Sequence, residues 1–424
     1  MNFINITKNL VKKNKNVCAL IHYIIYYFNR FIIQRKFKNV YLNNYVKFVK
    51  LDLPKKKNTF FGYYNISPFN INGDMLFCMT NSDSIRNCGK NLLEIYIYKF
   101  NKGYNFLTST NSWNWQQGCM LQWINNKDTI IFNKFSNENN EYYSEIRNIN
   151  TGKCRNIDKP IYSVSKNGDF ALSLDFSRLA SLRSDYGYFN KKVSENIDNI
   201  DSAIWFIDIL DNRISPILNF QDIIDFEYSD RFSDSIHWVN HIDISPDNSR
   251  FMFLHRWRSN NNDKTVRHTR LLTANINGKD LYCLADDEMV SHCSWKDSKH
   301  IVSFCRKKAF GDRYYLLEDK TNNFNIFKHK KLKQDGHPSF LPYSDWLLTD
   351  TYPDKSRMSE IILYNIKNNK LYIIGKFFQP LKNIGECRCD LHPRCDRTGR
   401  YISFDSCHDR KRGFYILDIC NLVD

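Results

Sequence analysis

HIDISPDNSRFMFLHRW (His241–Trp257), followed after a loop by TRLLTANINGKDLYCL (Thr269–Leu284), reads as four short strands joined by an Ser-Pro-Asp-Asn turn, a loop and a turn at Asn277-Gly278. Apolar alternation broken by Asp-Asn and Asn-Gly pairs is the hairpin signature. The same plan recurs in YYNISPFNINGDMLFCM (Tyr63–Met79), MLQWINNKDTIIFNKF (Met120–Phe135), YSVSKNGDFALSLDF (Tyr162–Phe176), HCSWKDSKHIVSFCR (His292–Arg306), HPSFLPYSDWLLTDTYP (His337–Pro353) and HPRCDRTGRYISFDS (His392–Ser406). Seven repeats of one supersecondary unit predict an all-β fold, a seven-bladed β-propeller, whose closed ring leaves no open sheet edge. A stacked β-solenoid is the rival architecture, and the unequal spacers between repeats count against it.

The last repeat contributes HPRC, RYISF and FYILDI but no fourth strand. Val40–Leu53 (VYLNNYVKFVKLDL) alternates well enough to be a strand, and is expected to pair with Phe414–Ile419 as the outer strand of blade seven. The domain reading is therefore a basic N-terminal segment, residues 1–39, and a propeller, residues 40–424. Of the formal charge of +16, residues 1–57 carry about +12, with thirteen Lys and Arg against Asp52 alone. The near-neutral remainder gives no cationic track, so nucleic acid is not an expected partner. Val17–Ile33 is apolar and aromatic, but only about 14 residues escape a charge, short of the ~20 that span a bilayer. A short helical extension lying on an anionic membrane surface and a helix packed on the body are both compatible with it. Thirteen scattered cysteines without scaffold spacing fit a reduced interior. The expected location is cytoplasmic, with peripheral attachment at the inner membrane face as an option.

In a propeller the segments leading into the innermost strands share one rim. Those segments hold Tyr63 and Tyr64, Trp115 with Gln116 and Gln117, Tyr162, His237 and His241, His292, His337, and Cys387, Cys389 and His392. Four of seven blades place a histidine there, although the chain has only eleven. For any one of them a hydrogen bond to a neighbouring turn is the plain explanation; as a set on one rim they point to a functional centre. The C-x-x-H spacing of Cys389 and His392 can put thiolate and imidazole on one ion, with His292 approaching across the channel. Sulfur and nitrogen donors favour zinc; Cys387, His241 or His337 would be needed to fill the shell. RLASLRSDYGY (Arg178–Tyr188) adds an Arg and Tyr cluster in a blade-three loop, with Arg183 and Tyr188 among its members.

SHCSW (Ser291–Trp295), GHPSF with LLTDTYPD (Gly336–Asp354) and CDLHPR (Cys389–Arg394) resemble the propeller of oligogalacturonate lyases and, more loosely, that of ulvan lyases. The resemblance is strongest in blades four to seven. It implies metal ligands from an SHxxW-type histidine and a Q-x-x-H-x-H motif, which by position are His292, Cys389, His392 and Arg394. Cys replaces Gln and Arg replaces His, and the reading keeps His292, Cys389 and His392 as metal ligands. Chemically it implies β-elimination at a uronic acid, where a cation neutralises the carboxylate and a base removes the C5 proton. Arg256, in FLHRW (Phe253–Trp257), is the expected carboxylate clamp, and His241 or His237 the base. Tyr63, Tyr64, Gln116, Gln117, Arg183, Tyr188, His337 and Arg394 are the expected substrate contacts.

The expected function is a carbohydrate-active, lyase-like propeller using a divalent metal on an acidic oligo- or polysaccharide. The alternative is a non-catalytic propeller that binds a glycan or a protein at a membrane surface during the making or export of a cell-surface polysaccharide. Fold alone does not choose between them.

Overall fold

The computed structural model describes residues 24, 38–124, 127–191, 201–259 and 267–422. The N-terminal helical extension expected within residues 1–39 falls almost wholly outside the described residues. No described helix is long and apolar enough to cross a membrane.

Strand pairing produces seven antiparallel sheets arranged as a β-propeller, and in each the strands follow chain order from the innermost outwards, save for the outermost strand of blades six and seven. The innermost strands are Asn58–Phe60, Gln122–Ile124, Ser163–Val164, Ser235–Ile244, Val290–Trp295, Ser339–Phe340 and Arg394–Cys395. Blade four shows why its second strand reads FMFL without polar alternation. Phe251 and Phe253 pack with Ile204 and Ile207 of blade three, whereas Met252 and Leu254 pack with Ile301 and Cys305 of blade five. Both faces are buried, as expected for a sheet covered on either side by its neighbours. The SPDN turn closes as its residues require: Asn248 takes a left-handed φ of 63°, and the Ser245 hydroxyl accepts the Arg250 N–H.

The ring is closed by the N-terminal stretch, with one departure from the sequence reading. Lys47–Val49 does pair with Ile416–Asp418 as the outer strand of blade seven. Val40–Leu42, however, pairs with Gly375–Phe377 as a fifth strand of blade six. The cause is a turn at Asn43, whose carbonyl accepts from Val46 N–H and whose side chain accepts from Tyr45 N–H. One segment therefore staples two blades.

Blade one brings a second peculiarity to the channel. Its chain leaves the sheet after Phe60 and rejoins it at the Phe69–Met75 bridge, so that Gly62, Tyr63 and Tyr64 sit among the channel residues. Gly62 has a φ of 145°, and a Cβ there would lie 2.8 Å from the Gln117 carbonyl oxygen, so only glycine fits.

Candidate active site in the channel

The four histidines expected on the rim meet. His241 and His292 stand where the ladders of blades four and five slip, between Asn240 and Asp243 and between Val290 and Cys293; such bulges re-aim side chains. His337 and His392 lie just before the two-residue innermost strands of blades six and seven. Ring centroids are 4.3 Å apart for His292 and His337, 4.2 Å for His337 and His392, and 5.7 Å for His241 and His292. Tyr63 lies 5.3 Å from both His241 and His392, and Tyr64 5.3 Å from His337. His241 and His392 also carry left-handed φ angles of 56° and 42°, a backbone strain of about 1–3 kcal/mol each.

The hydrogen bonds around this cluster fix which imidazole nitrogens are free. His337 Nδ1 is 2.8 Å from Asp350 Oδ1, and His392 Nδ1 is 2.9 Å from the Gly62 carbonyl oxygen. A carbonyl can only accept, so His392 carries its proton on Nδ1. The Nε2 atoms of His337 and His392 are both buried without a partner. Together with a carboxylate oxygen of Asp390, ligand atoms of these two histidines lie within 4.8 Å of one another. Arg388 holds the Asp390 carboxylate at 2.7 Å. Histidines oriented through Nδ1 with Nε2 presented to a common point form the usual plan of a metal site and its supporting shell. His292 is oriented in the same way by Asp335, at 3.1 Å, and Ser291 donates to that carboxylate at 2.6 Å.

Electrostatics divide the cluster. Burial holds His241 and His392 well below the ordinary histidine range, reinforced by Arg256 and by His337 respectively. Burial also opposes charge on His337, but Asp350, Asp390 and Asp335 together outweigh it and raise its pKa. Burial pushes Tyr63 and Tyr64 far above the usual phenol range. Arg256 is buried and donates to Asn240 Oδ1 at 3.0 Å and the Val290 carbonyl at 3.5 Å. Desolvation, with Arg183 next, lowers its pKa to about 10. Among the described residues it forms no ion pair, whereas Arg183 is paired with Asp185 at 3.3 Å and stacks over Tyr186.

Other expected site residues are placed elsewhere or bound to the protein itself. His237 belongs to a directional chain: Arg270 Nε donates to His255 Nδ1, His255 Nε2 meets His237 Nδ1 at 2.9 Å, and His237 Nε2 meets the Phe232 carbonyl at 3.1 Å. Gln116 donates to the Glu386 and Arg388 carbonyls, and Gln117 to the Tyr162 hydroxyl. Tyr188 is stacked on Phe176 at 4.3 Å in the core. Arg394 is ion-paired with Asp405 at 2.9 Å and donates to the Gly62 and Tyr63 carbonyls. The Cys389 thiol is buried beside Cys407, burial together with that proximity pushes its pKa up, and it is not in the histidine group. Asp335, Asp350, Asp390, Tyr186 and Tyr352 were not singled out by sequence reasoning. The only sequence signal for the three aspartates is their position beside the histidine motifs.

Fold and site together define a closed seven-bladed propeller whose channel gathers histidine, tyrosine and arginine at one end. Among solved structures, the chain is similar to an oligogalacturonate lyase in complex with manganese, with a TM-score of 0.63 and 13% identity over 88% of this chain and 96% of that one. It is likewise similar to the oligogalacturonate lyase from Vibrio parahaemolyticus, with a TM-score of 0.60 and 14% identity over 89% and 97%. The β-propeller domain of the Trilobed protease from Pyrococcus furiosus matches with a TM-score of 0.50 and 12% identity over 86% and 94%. No protein-family model matches the sequence, and no curated protein matches it significantly. The resemblance drawn from SHCSW, GHPSF and CDLHPR thus holds at the level of fold.

Proposed function

We propose that the chain cleaves an acidic, uronic-acid-containing glycan by β-elimination, with a divalent cation held by His337, Asp390 and His392. The observation that carries this reading is the meeting of two buried, unpartnered imidazole nitrogens and a carboxylate in one channel with Arg256, a buried cation that lacks an ion-pair partner among the described residues. The fold likeness to a lyase described in complex with manganese supports it. Two imidazoles and one carboxylate suit manganese as well as zinc, and the thiol that favoured zinc lies outside the group.

When bound, the cation supplies positive charge that favours the enolate-like state at the uronate carboxylate. Arg256 binds the same carboxylate. His241, kept neutral by burial, takes the C5 proton; the electron pair left behind forms the C4–C5 double bond as the C4–O bond breaks. Tyr63, protonated at neutral pH because burial raises its pKa, lies 3.0 Å from His241 and gives the departing oxygen its proton. The test is incubation of chelator-stripped and manganese- or zinc-reloaded protein with a panel of uronic-acid oligosaccharides, followed by ultraviolet absorbance of the unsaturated product. Activity that needs the metal and disappears in His337→Ala supports the proposal; metal-loaded protein that yields no unsaturated product from any uronate rejects it.

A further inference from the structure

Beside the metal-ligand group, on the side of blades six and seven, lies a pocket of about 170 Å³ lined by Tyr352, Arg357, Gln379, Asn383, Arg388 and Asp390 among others. Gln379 is only 1% exposed. Its backbone N–H donates to the Arg357 carbonyl, and its carbonyl accepts from Arg357 Nε. Its side-chain amide is different, since neither Nε2 nor Oε1 has a partner, and the Asn383 Oδ1 that shares the pocket is also unpartnered. Leaving a buried amide donor and acceptor both unsatisfied is costly, and native proteins rarely keep one without a use.

We propose that this pocket is a pyranose-binding subsite, in which the Gln379 amide reads two adjacent sugar hydroxyls, one as donor and one as acceptor. A primary amide offers two donors and an acceptor in one plane, which matches neighbouring hydroxyls, each able to give and to take a hydrogen bond. Asn383 Oδ1 accepts from a further hydroxyl. Tyr352, 37% exposed and with its ring 5.7 Å from that of His337, supplies an apolar face for the ring carbons. Asp390 lines this pocket and also belongs to the His337–Asp390–His392 group, so the unit bound here adjoins the one whose carboxylate meets the cation. The substrate is then at least a disaccharide, read by its hydroxyls on the unit next to the reacting uronate. The inference rests on the glycan reading above.

Calorimetric titration with digalacturonate and galacturonate, on wild-type protein and on Gln379→Met and Asn383→Ala, tests it. The pocket predicts that digalacturonate binds more tightly than the monomer, that Gln379→Met weakens the disaccharide by about tenfold, and that the monomer is unaffected. Gln379→Met should also melt at or above the wild-type temperature, because it removes an unsatisfied amide; a structural glutamine would instead show a lower melting temperature and unchanged affinity. Equal disaccharide affinity in folded Gln379→Met and wild type, or no saccharide binding to wild type, overturns the subsite. Disaccharide binding that depends on Gln379 without any unsaturated product leaves the subsite standing and removes only the β-elimination reading.

Discussion

Asp350 grips His337 twice, through Nδ1 and through the backbone N–H, each at 2.8 Å, and its second oxygen accepts the backbone N–H of His392 at 3.0 Å. One carboxylate thus sets the position of both imidazoles whose Nε2 atoms are free. Asp350→Asn keeps the shape and loses the charge. Manganese affinity, measured by calorimetry, is expected to fall 10- to 100-fold, the usual effect of losing a group that orients a ligand. The pKa of His337, raised in part by Asp350, should fall with it in a histidine NMR titration.

Arg256 is expected to serve the substrate more than the fold. Its guanidinium is buried without an ion-pair partner among the described residues. Arg256→Met should reduce turnover of a uronate oligosaccharide by about 10²–10³-fold, the scale seen when one preorganised electrostatic contact to the developing charge is removed. Its denaturant midpoint should stay at or above the wild-type value.

Arg394 is expected to behave in the opposite way. It is 1% exposed, paired with Asp405, and it holds the carbonyls of Gly62 and Tyr63. Arg394→Met leaves the Asp405 carboxylate buried without its cation and should lower stability by about 3–5 kcal/mol in urea titrations. The affinity of the remaining folded fraction for sugar should change little.

The buried His237–His255 pair makes the fold sensitive to acid. Burial lowers the folded-state pKa of His237 to about 4, below the ordinary value near 6.5. The stabilisation is therefore fully present above pH ~6.5 and is lost progressively as pH falls toward 4. Asp243, held at about 7 by burial, works in the other direction over part of that range. The contribution of His237 is isolated by comparing wild type with His237→Gln. The wild type should lose on the order of 2 kcal/mol more than the variant between pH 7.5 and pH 5.

The closing strand gives a mechanical test. Phe48 pairs with Leu417, and its ring lies 6.1–6.4 Å from those of Phe377, Phe404, His408 and Tyr415. Phe48→Ala removes these aromatic contacts from the closing strand. It should lower the melting temperature of the whole ring and promote aggregation through the uncovered edge of Gly413–Asp418. An unchanged melting temperature would show that the outer strand is dispensable.

The ring, its blade number and the meeting of His241, His292, His337 and His392 were legible because they depend on period and position. Equivalent points of repeated units must face one axis. What was not legible depends on local backbone direction. His237 and His241 share one strand, and only the slip between Asn240 and Asp243 sends one into the channel while the other joins His255. Cys389 and Asp390 are adjacent in a loop, where neither periodicity nor composition says which side chain turns toward His392. Gln379 follows the fourth strand of blade six, Leu371–Phe378, and belongs to no motif; only its unmatched amide marks it. The Asn43 turn likewise divides what alternation presents as a single strand.

The staple formed by Val40–Leu42 and Lys47–Val49 also sets an order of events. It joins blades six and seven at the perimeter, and His337, Asp390 and His392 draw the segments leading into the same two blades together at the axis. During synthesis the stapling segment emerges before every strand it will pair with, and it has no lasting partner until residues 371–418 have followed. The candidate metal centre has to wait for Asp390 and His392. A ribosome-bound chain that has made only five blades therefore holds neither the seam nor the centre.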